Sequence, residues 1–194
     1  MIFGREKTNM KNLVFMLDVD IKGDGRYASS RRASYKYSID SWKKWCEKND
    51  CQLFVLNDLV LENDKMGICW QRYYMFDILD ANELEYDQVL MVDADTIVHP
   101  ECPNFFEMTE NKMCAVQFDG SWDWVLRGHE NYSKYIFDGF MMPWEQYFDA
   151  GFLIVNKNHK QFYQDIVSFY FTHQDNLVQL QNTFFNGTDQ TPVN

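Results

Sequence analysis

Nowhere in its 194 residues does the chain approach eighteen consecutive apolar positions, and its first twelve residues are polar with scattered charge. Neither a membrane-spanning helix nor a signal peptide is expected on that basis, and a cytoplasmic location follows. Glycine and proline are scarce, at 9 and 4, which excludes collagen-like and disordered classes. The five cysteines are odd in number and contain no CxxC, so neither a full disulfide framework nor a four-cysteine zinc site is expected; buried free thiols are. Basic residues are also short, with 18 Lys and Arg against 29 Asp and Glu and a net charge of −11. That balance argues against a nucleic-acid partner, and any anionic ligand needs a local basic residue or a metal.

What the sequence does have is aromatic and aliphatic bulk. Phe, Tyr and Trp make up 17% of the chain, and the length suits a single domain over 1–194 with a substantial core. Short apolar runs alternate with helix-spaced stripes, the pattern of an α/β layered domain. Strands are expected at Leu13–Leu17, Leu53–Leu56, Val89–Val92, Cys114–Phe118 and Phe152–Val155. A helix from about Ser30 carries the stripe Tyr35, Ile39, Trp42 and Cys46; a second spans Ile68–Leu79; a third has Phe162, Ile166 and Phe169 inward. In open α/β sheets ligands bind beyond the carboxyl ends of the strands, which directs attention to the residues just after Leu17, Val92 and Phe118.

Asp93-Ala94-Asp95 lies at one such end. On extended backbone, carboxylates at i and i+2 point to the same side, and oxygen-only ligands suit Mg²⁺ or Mn²⁺ better than zinc. Spacing alone is weak, because 19 Asp generate about two such triplets by chance and two occur, the other being Asp18-Val19-Asp20. Context carries the argument: Val-Leu-Met-Val ends abruptly in two acids, which points to a site or to a solvated strand end.

The stretch Tyr86-Asp87-Gln88-Val89-Leu90-Met91-Val92-Asp93-Ala94-Asp95-Thr96-Ile97-Val98 resembles the signature of GT-A-fold glycosyltransferases, above all the retaining enzymes related to family 8 and the glycogenins. Three further segments agree in order. Trp70-Gln71-Arg72-Tyr73-Tyr74 resembles the helix before the motif, Tyr147 to Asn156 resembles the family's Phe-Asn-Ala-Gly strand, and Thr188-Asp189-Gln190 with Asn194 resembles its Asp-Gln-x-x-x-Asn segment.

The resemblance implies a Rossmann-like α/β fold with a mixed, mostly parallel sheet and helices on both faces. It implies transfer of a sugar from a nucleotide-diphosphate donor, a UDP-sugar above others, to an unidentified acceptor, with retention. Mn²⁺ or Mg²⁺ would be held by Asp93 and Asp95, with Arg72 and Ala94 at the donor diphosphate. Asp189 and Gln190 would be catalytic, at the sugar. Asp18, Asp20 and Tyr27 would lie beside the base and ribose, Asp149 at the donor, and Asp119, Trp122 and Trp124 toward the acceptor or sugar, with Trp144 flanking them. For several of these a plainer role competes: Arg72 as an exposed helix residue, Asp119 as a turn residue before Gly120, the tryptophans as core.

Two departures stand out. The family's usual Asn in the Phe-Asn-Ala-Gly segment is Asp149 here, and the chain reaches Asn194 without the later segment that commonly supplies a third metal ligand, often His. A binding module that holds a nucleotide sugar or glycan without turnover is the alternative this raises. A haloacid-dehalogenase-type phosphotransferase, suggested by Asp18-Val19-Asp20 after a strand, fits less well because Lys22 stands where Thr or Val is expected.

Overall fold

The chain runs β1 (Asn12–Leu17), α1 (Arg32–Lys48), β2 (Gln52–Leu56), α2 (Ile68–Gln71), α3 (Met75–Ala81), β3 (Gln88–Val92), β4 (Cys114–Gln117), α4 (Trp122–Tyr135), β5 (Phe148–Asn156), α5 (Lys160–Thr172), α6 (Gln174–Phe184) and α7 (Gln190–Val193). The structure, a computed structural model, describes residues 11–19, 32–118, 120–185 and 189–194. Asp20, Tyr27 and Asp119 lie outside the described residues.

Apolar runs become central strands because both of their faces can be covered. All five residues of β3 are buried, as are the first five of β1. Successive side chains leave a strand on opposite faces. Leu13, Phe15, Val89 and Met91 therefore join one core, and Val14, Met16, Leu90 and Val92 join the other. The second core is closed by α1, whose Trp42 and Trp45 meet edge to face at 5.6 Å while Trp45 stacks on Phe105 at 5.0 Å. The first is closed by α2, α3, α5 and α6, through Trp70, Phe76, Tyr163 and Leu177 among others. Helices thus cover both faces, as expected. No helix among the described residues is long and apolar enough to cross a membrane.

Strand order is β2-β1-β3-β5-β4. β1 pairs in parallel with β2 and β3, whereas β5 runs antiparallel to both β3 and β4. This reversal positions the site. Val92 pairs with Phe152, so the beginning of β5, not its end, extends past the carboxyl end of β3, and the Asp93 N–H donates to Gly151 O at 3.0 Å.

Three local expectations change. The helix expected over Ile68–Leu79 is broken by a 3₁₀ turn at Arg72–Tyr74. The buried stripe of α5 is Tyr163, Ile166 and Tyr170, with Phe162 and Phe169 half-buried beside it, because the face turned to the sheet is rotated by one residue from the one read off the apolar spacing. All five cysteines are free, but only Cys46 is buried; the other four are half-buried.

Trp45 is fully buried among aromatic rings. Trp45→Ala is expected to lower the free energy of unfolding by about 3–5 kcal/mol, read from urea denaturation, because the neighbouring rings cannot collapse into the space it leaves.

Candidate active site

The break at Arg72–Tyr74 has a sequence cause in its neighbour. The Gln71 side chain is fully buried and accepts from Val60 N and Leu61 N at 2.8 and 3.1 Å, while donating to Leu61 O and Met66 O at 2.9 and 2.7 Å. It ties the 60–66 loop to the start of the helix and fixes the direction in which the next residue, Arg72, leaves. A tightened turn inside a helical segment is a common mark of a functional position.

Arg72 extends beneath the sheet edge with its side chain only 12% exposed. Its Nη1 lies 2.5 Å from Asp93 Oδ1 and donates to Ala150 O at 3.3 Å. Its Nε donates to Cys69 O at 2.9 Å and lies 3.2 Å from Asp189 Oδ2. Asp189 is itself 3% exposed on its side chain and accepts from Tyr73 OH at 2.8 Å. Burial works against the guanidinium charge, yet the carboxylates of Asp189 and Asp93 outweigh it and hold Arg72 protonated well above its ordinary range. Burial and the Asp189 charge both push the Tyr73 phenol up, so it stays a donor. The alternative of Arg72 as an exposed helix residue is excluded by these contacts.

Asp93 leads out of β3 into a turn, not an extended segment. The Asp93 carbonyl accepts from Thr96 N at 3.2 Å and Thr96 Oγ1 at 2.7 Å, and Trp42 Nε1 donates to Thr96 Oγ1 at 3.0 Å. The expected same-side projection of Asp93 and Asp95 from extended backbone is thus corrected to a turn locked from α1. Asp95 is exposed and forms no ion pair among the described residues, while Ala94 is buried with its methyl in the α1-side core.

Gly151 brings β5 against Asp93. A Cβ at this position would sit 2.3 Å from Asp93 Oδ2 and 3.1 Å from Asp149 Oδ1, so the two carboxylates converge on the space that glycine leaves. Asp149 is held by the Gly151 N–H at 2.7 Å. Its pKa is raised, by burial first and then by the Asp93 charge, against the opposing effect of that N–H. Among the described residues no three of His, Cys, Asp and Glu come together as a metal-binding group; Asp93 and Asp149 are the two carboxylates that converge here, and oxygen donors of this kind suit a hard divalent cation.

The C-terminal segment is stitched to the same strand. Gln190 Oε1 accepts from Ala150 N at 2.9 Å and its Nε2 donates to Phe148 O. Asn194 Oδ1 accepts from Phe148 N at 2.7 Å, and its Nδ2 donates to Phe148 O and Gln190 O at 3.0 and 2.7 Å. Asp189, Gln190, Arg72, Asp93 and Asp149 are therefore gathered at the carboxyl end of β3, beside the start of β5. Asp18 follows β1 at that end, is buried, and donates its N–H to Leu56 O at 2.9 Å. The tryptophans divide: Trp122 and Trp144 form an exposed edge-to-face pair at 4.9 Å, whereas Trp124 is half-buried and stacks on Phe118 at 5.6 Å. The roles of Tyr73 and Gln71, and of Gly151 as the cradle of the acids, emerge only from these contacts.

No protein-family model matches the sequence, and no curated protein matches it. Among solved structures, the crystal structure of a glycosyltransferase involved in the glycosylation of the major capsid of PBCV-1 is similar over 93% of this chain and 74% of its own, with a TM-score of 0.51 and 11% identity. The likeness is one of fold. This chain has the α/β architecture expected from its motifs, and its site rests on its own geometry.

Two substitutions test that geometry. Arg72→Met leaves Asp189 buried without its cation and is expected to cost about 3–5 kcal/mol in urea denaturation. Gly151→Ala drives a methyl into the Asp93 carboxylate and is expected to cost about 1–3 kcal/mol; Gly67→Ala, whose new methyl meets nothing closer than 3.8 Å, is the control expected to change stability little.

Proposed function

We propose that the chain is a metal-dependent glycosyltransferase that moves a sugar from a nucleotide-diphosphate sugar, a UDP-sugar above others, to an acceptor with retention of configuration. The observation that carries this reading is Arg72, a buried guanidinium fixed between Asp93 and Asp189 at the sheet edge where α/β folds take their ligands. The motif resemblance and the fold likeness support it.

Arg72 is preorganised to face negative charge that grows on a leaving diphosphate, and its fixed position means that no reorganisation is needed when the charge develops. Yet Asp93 and Asp189 pair with this one cation and Asp149 lies near it, on a chain of net charge −11. An anionic diphosphate would be repelled without added positive charge. Mn²⁺ or Mg²⁺, held by Asp93 and Asp95 with Asp149 in place of the family's amide, would supply it as a Lewis acid on the diphosphate oxygens. Asp189 and Gln190 work from the sugar side, their positions set by Tyr73 and Ala150. The turn after β3, braced by Thr96 and Trp42, keeps Asp93 and Asp95 in place. Asp18 lies toward the nucleoside, where the sequence reading also puts Asp20 and Tyr27.

Thermal melting against UDP-, GDP-, CDP- and ADP-sugars, each with Mn²⁺ and with EDTA, tests the reading. A UDP-sugar with Mn²⁺ at about a hundred times its dissociation constant is expected to add about 2.7 kcal/mol of stability, seen as a rise in Tm that EDTA removes. Asp95→Asn, which disturbs no ion pair among the described residues, is expected to abolish that rise while leaving the unliganded Tm unchanged. A shift that survives EDTA and Asp95→Asn equally would overturn the metal-dependent donor site.

A further inference from the structure

Helix α1 ends in a turn that brings two thiols together. The Cys51 N–H donates to Cys46 O at 3.1 Å, the closing bond of a common helix cap. Asp50, just before Cys51, has φ 52°, the left-handed conformation that this cap requires and that glycine ordinarily supplies. In such a cap the side chains at the two ends of the closing bond meet, and the pair is ordinarily apolar. Here both are cysteines. Cys46 Sγ lies 3.8 Å from Gln52 O, Cys51 Sγ lies 3.8 Å from Cys46 O, and the two thiols are hydrogen-bonded to each other.

The two thiols are not equivalent. Cys46 is 3% exposed, within the core that holds Trp42 and Trp45, whereas Cys51 is half-buried at the start of β2. The hydrogen bond between them lowers the pKa of Cys51, against the opposing effects of burial and Asp50, and together with burial it raises that of Cys46. The thiolate is the reactive form, so the accessible Cys51 is the member that reacts and its buried neighbour the one that resolves. With ordinary backbone dimensions, the 3.1 Å bond holds the two Cα atoms within about 7 Å, the limit for a disulfide that moves no backbone.

We propose that Cys46 and Cys51 form a redox-active dithiol, oxidised by hydrogen peroxide to a disulfide that ties the end of α1 to the start of β2, and reduced again by a small thiol such as glutathione. The Cys51 thiolate attacks one peroxide oxygen, the O–O bond breaks, and a sulfenic acid and hydroxide result. The Cys46 sulfur then attacks the Cys51 sulfur. An S–S bond forms, the S–O bond breaks, and the Cys46 proton leaves with the hydroxyl as water. In all, two thiols lose two electrons and two protons, and one peroxide becomes two waters. Oxidation of Cys51 also ends the thiol contact that does most to keep Cys46 protonated. Neither residue belongs to the candidate active site, and the proposal does not rest on the glycosyltransferase reading.

Non-reducing peptide mass spectrometry on the folded, fully reduced chain tests the pair. An equimolar amount of hydrogen peroxide, followed by N-ethylmaleimide and trypsin, is expected to yield two peptides linked through Cys46 and Cys51, because trypsin cuts between them at Lys48. Cys69, Cys102 and Cys114, half-buried like Cys51, are expected to stay unoxidised, and reduced glutathione to remove the link. Cys46→Ala keeps the backbone bond of the cap but lacks the resolving thiol. It is expected to raise dimedone trapping of the sulfenic acid at Cys51 at least tenfold over the unaltered chain. Cys51→Ser, at a half-buried position, guards against a folding defect in that variant; it is expected to give no link and to leave Cys46 unmodified. No linked peptide, a link that forms only in urea, equal oxidation of the other three cysteines, or oxidation of Cys46 undiminished in Cys51→Ser would overturn the proposal.

Discussion

A guanidinium taken out of water must be surrounded by acceptors, and Arg72 imposes that demand on four separate parts of the chain. Asp93 comes from the end of β3, Ala150 from the start of β5, Cys69 from the preceding helical turn and Asp189 from the C-terminal segment. Removing an ion from water costs several kcal/mol, which only good geometry with its partners offsets. The helix break at Arg72 and the return of the C-terminal segment both serve that geometry. Gln190 and Asn194 then complete the attachment through hydrogen bonds from their side-chain amides to the backbone of β5.

The reversed strand gives the acids their arrangement. Had β5 run parallel to β3, its first residues would lie at the opposite end of the sheet, and Asp149 would be far from Asp93. Running antiparallel, it sets Gly151 beside Asp93, and the missing side chain lets two carboxylates share one space. Burial first, and then the Asp93 charge, raises the pKa of Asp149, and the paired acids concentrate negative charge around a single cation. An edge so charged favours cations over anions. This is the physical reason for placing a divalent metal in the proposed reaction.

Two neighbouring regions of the surface differ in kind. The donor edge is ionic and built on strand ends, where rigid backbone holds each charge. Beside it is a neutral cavity, with aromatic and proline walls carried by the 137–146 segment and α4. Gln190 to Asn194 is common to both, since Gln190 fixes Ala150 on one side and Thr191 lines the cavity on the other.

Much of this was legible in the residues. Five strands could be read because burial on both faces demands continuous apolar runs, and three helices from their stripes, whereas α4, α6 and α7 were not read; the abrupt change from Val92 to Asp93 marked the strand end that carries the site. Trp42 in the stripe of α1 and the aromatic stripe of α5 showed where core would be, although the face that α5 turns to the sheet is rotated by one residue, because tertiary packing and not spacing alone chooses it. Sequence by itself fixed the local periods, the charged strand end and the order of the motifs, since each depends on residues near one another in the chain. Tertiary structure alone decided the antiparallel course of β5, the turn at Asp93 and the partners of Arg72 across 21 and 117 positions, because pairing and desolvation depend on which distant segments meet.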